Sequence, residues 1–321
     1  MVLAVLGVTG CQASDPVIHG GPTTPPGEFS PTPQQVLPNQ QVVLGHEVTL
    51  AALAADAHAA AGTLEFTSTQ TALVRSLAAG HETHVIALLD PQPARRSMIS
   101  PAPAPRPTPA VPLTAIDGAA ATAQLQEQLA TALRDYRLAA TADQGPRALV
   151  WGSLAAYARA ADAALRQDSP RADPPTVQVR ELEPWSDAEA EQQALRQVHA
   201  LIYGYQAAIP WLASEESPLA RELVAERRGL RDQLAQLLRQ RGVAVPAAEP
   251  AYELSTQPVD SATATALLQQ MEASFAPFAG AWLAAATSTE ARHTALRHLE
   301  RSAGLHVEWG GSLTVWPGWP G

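Results

Sequence analysis

The stretch that decides the fold runs from residue 186 to 213. It opens Ser186-Asp187-Ala188-Glu189 and then places Leu195, Val198, Ile202, Tyr205 and Ile209 three or four residues apart. A serine followed three residues later by a glutamate lets each side chain accept from the other's backbone N–H, the capping box that starts a helix. Apolar residues at that spacing line one face of a 3.6-residue turn and need a partner surface. The stretch therefore predicts a long helix built to pack in a bundle.

The same period recurs on both sides of it. Downstream, helices are predicted over 216–241, 259–287 and 289–307. The first is entered through Ser217-Pro218, carries Leu219, Leu223, Leu230, Leu234 and Leu237, and ends at Gly242, a natural C-cap. The second carries Leu267, Met271, Phe275, Phe278 and Trp282, with Pro277 inside it as an expected kink. The third carries Leu296, Leu299 and Ala303. Upstream, four more helices are predicted. Residues 39–61 have apolar or small residues at 44, 48, 51 and 55; 67–90 begin at Thr67-Ser68-Thr69 and carry Leu73, Leu77 and Leu88. Residues 114–142 carry Leu125, Leu129, Ala132 and Tyr136; 145–167 hold Pro146 in the first turn and carry Leu154, Ala158, Ala161 and Leu165.

The expected class is all-α, with two four-helix bundles in tandem over 39–168 and 186–321, joined by a linker over 169–185. Within each half the connections run short, long, short. A short loop joins antiparallel neighbours. The long ones, proline-rich 91–112 and proline-interrupted 243–257, can run back along a helix, since extended chain covers about 3.3 Å per residue. That is the ferritin-like arrangement, with one crossover between the second and third helices. An up-down bundle with two slack loops is the alternative.

Composition narrows the function. The chain has 321 residues, 46% apolar and 5% aromatic, so its cores must be built from Leu, Val and Ala. All 21 basic residues are Arg, and the abundance of Ala and Pro points to a GC-rich bacterial genome. A net charge of −10 argues against nucleic-acid binding, which needs a basic surface. The single cysteine excludes a disulfide framework and a Cys-rich zinc site.

That cysteine is placed where it carries meaning. Residues 2–8 are apolar, and Val8-Thr9-Gly10-Cys11 follows. An apolar run, small residues and then cysteine make the bacterial lipoprotein signal pattern, with the Cys11 thiol receiving the diacylglycerol. No Arg or Lys precedes the run, although signal peptides carry a positive start; a reading frame beginning upstream of Met1 would supply one. A buried N-terminal strand is the alternative. With residues 1–11 as signal and proline-rich 12–38 as tether, the expected location is the outer face of the cell membrane, lipid-anchored. Envelope proteins are the expected partners.

The second half resembles a family. Leu195-Arg196-Gln197-Val198-His199-Ala200-Leu201-Ile202-Tyr203-Gly204-Tyr205, Arg227-Arg228-Gly229-Leu230-Arg231-Asp232-Gln233-Leu234, Pro250-Ala251-Tyr252 and the terminal Trp316-Pro317-Gly318 are similar to actinobacterial lipid-anchored ferritin-like proteins of unknown function. The resemblance covers residues 187–321. It implies a ferritin-like fold and an extracytoplasmic address, and no activity.

A ferritin-like bundle raises the possibility of a di-iron or di-manganese centre. That chemistry uses one Glu from each of two helices and Glu-x-x-His from each of the other two. Only Glu290-Ala291-Arg292-His293 has that spacing, and it opens a helix rather than sitting mid-bundle. The residues on offer are His199, Glu226, Glu272 and His293, an irregular set, so the expectation is no cofactor, with iron or manganese as the alternative. The first half offers a second cluster, His58, His81 and His84, where His81-x-x-His84 puts two imidazoles on one helix face. Core histidines without metal are the simpler reading of it, since a zinc site needs further fixed ligands.

No Gly-x-Ser-x-Gly, Walker loop or Gly-x-Gly-x-x-Gly is present, and the sole cysteine is committed to lipid, so no catalytic residues are assigned. Arg227, Arg228 and Arg231 could face anionic groups or form a solvated helix face balanced by acids. Trp309, Trp316 and Trp319 could form a stacking platform or fold back to cap the bundle. The expected function is a non-enzymatic binding or scaffolding module of the envelope. A metal-dependent oxidase or storage protein is one alternative; a carrier of a small apolar ligand, opened at Pro277, is another.

Overall fold

The computed structural model describes residues 38–89, 106–167, 182 and 184–320. Cys11, the signal and the tether up to residue 37 lie outside the described residues, as does most of the 169–185 linker. The described chain is helical throughout: α1 (Pro38–Ala59), α2 (Ser68–Leu89), α3 (Gly118–Ala142), α4 (Pro146–Leu165), α5 (Asp187–Ala208), α6 (Ser217–Gln240), α7 (Ser261–Ala285) and α8 (Thr289–Glu308).

Local chemistry sets the boundaries. Asp117 caps α3 by accepting from the Ala120 N–H, and Ser288 caps α8 by accepting from Ala291. Ser186 and Glu189 form the reciprocal capping box of α5. That helix stops earlier than its apolar stripe suggests. Pro210 brings no N–H, and the chain tightens into one 3-10 turn over Ile209–Trp211. Pro277 stays inside α7, which runs on through it.

Neighbour relations decide the topology. The backbone of α1 packs on α2 and α3, and α3 on α4; likewise α5 packs on α6 and α7, and α7 on α8. Among the described residues the backbones of α2 and α3 do not approach, nor do those of α6 and α7. An up-down bundle would make both pairs neighbours. The third helix of each half lies beside the first, as a long second connection permits; residues 90–105 of the first-half connection lie outside the described residues.

The halves are fused rather than strung together. Helix α4 lies along α8 and also meets α7, and one apolar core runs through both halves. Gly152 of α4 is the close point: a Cβ there would strike the Leu283 side chain and press on Leu296, both buried. Polar groups stitch the same seam. Arg137 Nε donates to both carboxylate oxygens of Glu300 at 2.9 and 3.0 Å, and the Arg292 Nε donates to the Thr141 carbonyl at 3.0 Å. After α8 the chain folds back. Trp309, Leu313 and Val315 are buried, and Gly280 of α7 sits directly against the backbone of Gly318.

The two glycines 152 and 229 give opposite tests. Gly152→Val should destabilise by roughly 2–3 kcal/mol in urea unfolding, because Leu283 and Leu296 have nowhere to go. Gly229, also mid-helix, faces open space. Gly229→Ala should stabilise by about 1 kcal/mol through helix propensity alone.

Candidate functional site

Each half buries one carboxylate at its centre, and the two are built on related plans. In the first half it is Glu47 of α1, with no exposed surface. Its Oε1 accepts from the Tyr136 hydroxyl of α3 at 2.7 Å. Its Oε2 faces two ring nitrogens of α2, His81 Nδ1 at 2.7 Å and His84 Nδ1 at 3.0 Å. Both histidines are buried, and the i, i+3 spacing puts them on one face.

Aromatic rings close this corner. Tyr157 of α4 stands edge-on to both imidazoles, centroids 5.2 and 4.7 Å away, and Trp316 of the tail lies 4.7 Å from His84. His84 Nε2 donates to the Val315 carbonyl at 2.7 Å. The Tyr157 hydroxyl is buried without a hydrogen-bond partner and rests beside Gly80, where any Cβ would collide with it. Burial would raise the Glu47 carboxyl, but the facing imidazoles of His84 and His81 outweigh it and hold the group well below the carboxylate range. Burial and the Glu47 charge push the Tyr157 and Tyr136 phenols up, so both stay neutral.

In the second half the carboxylate is Glu272 of α7. Its Oε1 accepts from the Tyr205 hydroxyl of α5 at 2.6 Å, and its Oε2 from Ser302 of α8 at 2.5 Å. The cation is Arg227 of α6, wholly buried, whose Nη2 donates to Glu272 at 2.7 Å and to Ser302 at 3.1 Å. Arg227 Nη1 donates to His298 Nδ1 at 3.3 Å, and Phe275 lies under the guanidinium at 5.3 Å. Burial, reinforced by the neighbouring charges of Arg227 and Arg297, lowers the His298 imidazole to about 3. It is therefore neutral and accepts the bond.

Each half thus pairs a tyrosine with a glutamate across its first and third helices and draws the counter-charge from its second. The positions of Tyr and Glu are exchanged between halves, and the counter-charge differs: two imidazoles in one, a guanidinium in the other.

The predicted ligand set of the second half is not brought together. Glu272 is at the centre, but Arg227 occupies it. His199 turns to the crossover, bonding the Pro246 backbone, and burial there lowers its pKa. His293 is exposed at the start of α8. Glu226 is half-buried and lies 3.4 Å from Arg301. In the first half His81 and His84 do converge. His58 does not join them: it stands three helical turns along α1 from Glu47, with its Nδ1 buried and unpartnered. Glu47 takes the place expected of His58. It went unread because a lone glutamate on a helix resembles a solvated position; the signal was its register with Val43, Leu50 and Ala54, all core. His298 also went unread.

The surface candidates divide too. Arg227 points inward, a correction to the Arg face expected of α6, while Arg228 is exposed and Arg231 pairs with Asp232 at 2.7 Å. Trp309 is buried and donates to Tyr205 at 3.3 Å. Trp316 and Trp319 are half-buried. The tail therefore caps. A cavity of about 70 Å³ lies between α7, α8 and this tail, lined by Pro277, Glu272, Ser302, Trp316 and Trp319. That is room for a few waters, far short of the several hundred Å³ an organic ligand needs.

A further carboxyl is buried without a hydrogen-bonding partner among the described residues. Glu191 of α5 has neither oxygen hydrogen-bonded, with Arg241 Nη2 at 3.3 Å off the bonding direction. Burial raises its pKa to about 7, against the pull of Arg241. The fold favours its protonated form, so the stability it contributes is full below 4.5 and lost as pH rises through about 7. Glu191→Gln should flatten that decline, gaining a few degrees of Tm over the wild type at pH 8 and little at pH 4. For the second-half centre, Arg227→Leu strands Glu272 and should cost about 3–5 kcal/mol. Arg227→Leu with Glu272→Leu should recover most of it in a double-mutant cycle.

No curated protein matches the chain. A crystal structure of a conserved hypothetical protein from Mycobacterium tuberculosis is similar, at 30% identity over 38% of this chain and 93% of that one, with a TM-score of 0.37. A family model described as a domain of unknown function (DUF4439) matches residues 190–321. Over those residues, the second half with its Arg227–Glu272 centre, the chain carries a domain of the DUF4439 family.

Proposed function

We propose that the protein is a lipid-anchored binding module on the outer face of the cell membrane, with no redox centre in its second half. The observation that carries the second clause is Arg227. A guanidinium with no exposed surface, bonded to Glu272 at 2.7 Å, puts a permanent positive charge where a metal pair would need carboxylates free. Of the sequence candidates there, only Glu272 reaches the centre. The fused halves support a binding role, since a shared core holds both outer faces in one fixed relation. No described helix is long and apolar enough to cross a membrane, so membrane attachment in this reading rests on Cys11.

Two measurements test it. Expressed in an actinobacterial host, the full chain should partition into detergent with a mass increased by diacylglycerol, and Cys11→Ala should move it to the aqueous phase. Equal partition of both forms would overturn the anchor. Purified after growth with iron and manganese, the chain should show no second-half dinuclear centre. Two metals per chain, lost in Glu272→Gln, with oxygen uptake on iron(II) addition, would establish the oxidase alternative instead.

A further inference from the structure

The first-half cluster differs from its counterpart in having no permanent cation, and with both imidazoles neutral the proton count there does not close. His84 Nε2 faces a carbonyl and its Nδ1 faces a carboxylate, and both are acceptors only. A neutral imidazole has one N–H and satisfies one of them. His81 Nδ1 reaches for the same Glu47 oxygen. Either protons are crowded into a dry corner, or a cation stands between the three groups.

The surroundings are those of a metal site. Glu47, His81 and His84 each offer a ligand atom within 4.8 Å of the others. A ligating histidine ordinarily donates its far N–H to a carbonyl or carboxylate, which fixes its tautomer. His84 does this with Val315. A ligating carboxylate is itself hydrogen-bonded, as Glu47 is by Tyr136. The partnerless Tyr157 hydroxyl is buried beside Gly80, next in sequence to His81.

We propose that Glu47 Oε2, His81 Nδ1 and His84 Nδ1 bind one divalent first-row transition metal of the zinc–iron type. Two imidazoles and one carboxylate suit that class better than calcium or magnesium, which prefer oxygen. Ligand bonds of about 2.0–2.1 Å in tetrahedral array hold donors about 3.3 Å apart. The present 2.7 and 3.0 Å separations need an opening of about half an ångström, within reach of χ rotations. Tyr157 or a water completes the shell. The site is mononuclear; its three ligands lie outside residues 190–321, and Trp316 of the tail, inside them, walls it.

The test is a titration of the full chain, stripped with chelator and dialysed, with zinc or with cobalt(II) as a visible probe. The expected result is one metal per chain, absorption bands of a low-symmetry cobalt site, and a rise in Tm with metal concentration. Glu47→Gln keeps the shape of the cluster and should weaken binding at least 100-fold. Tyr136→Phe removes only the bond to Glu47 and should weaken it about 10–100-fold. Arg228→Ala, on the exposed face of α6, should leave it unchanged. Circular dichroism separates lost binding from lost fold. No metal uptake by a folded wild-type chain would overturn the proposal, as would uptake unaffected by a folded Glu47→Gln. Nitrogen-15 spectra showing both histidines doubly protonated at neutral pH with metal present would do the same. None of these outcomes bears on the lipid anchor, which the partition experiment reads separately.

Discussion

A carboxylate taken out of water must keep a counter-charge or lose its own, and that requirement organises both halves of this protein. Moving an ion into a low-dielectric interior costs several kcal/mol even after relaxation. Glu47 and Glu272 meet the cost in the same way, with a phenol across the first and third helices and positive or proton-bearing nitrogen from the second. Those bonds use the approach of the first helix to the third, α1 to α3 and α5 to α7. Topology and electrostatics therefore specify each other here. The polar centres also supply direction to cores made of Leu, Val and Ala, whose side chains alone would tolerate shifts in register.

The contrast between the centres is the functional lesson of the fold. A guanidinium is always charged, planar and covalently fixed, so the Arg227 centre is complete as the chain folds. Imidazoles carry a charge only with a second proton, and they are metal ligands when neutral. One half thereby has a fixed cation, and the charge of the other depends on what its two imidazoles carry. The two centres differ in this exchange on the second helix and in the swapped places of Tyr and Glu on the first and third.

Much of the fold was legible because local chemistry and period agreed. The Ser186–Glu189 box, Pro146 and the leucine stripes placed all eight helices within a few residues, and Pro210 explains the one early stop. Loop length agreed with the neighbour relations, which set α3 beside α1 and α7 beside α5. The seam between α4 and α8 was hidden, since alanines and Gly152 look like helix filler until a second helix lies on them. The sites were harder. His81-x-x-His84 announces itself by spacing, whereas Glu47 and Arg227 read as surface residues. Their burial is a property of four helices at once, and a one-helix period does not encode it.

The Val315 carbonyl that holds His84 lies 231 residues further along the chain. A polypeptide emerging from its N-terminus presents α1 to α4 before α8 and the tail exist. The wall over His84 arrives almost last. Through most of its synthesis the first half stands open at that corner, and any product cut short before Trp316 stays so. Completion of the earliest-made part of the molecule is thus conditional on delivery of the latest, which makes the corner a built-in record of whether the chain was finished.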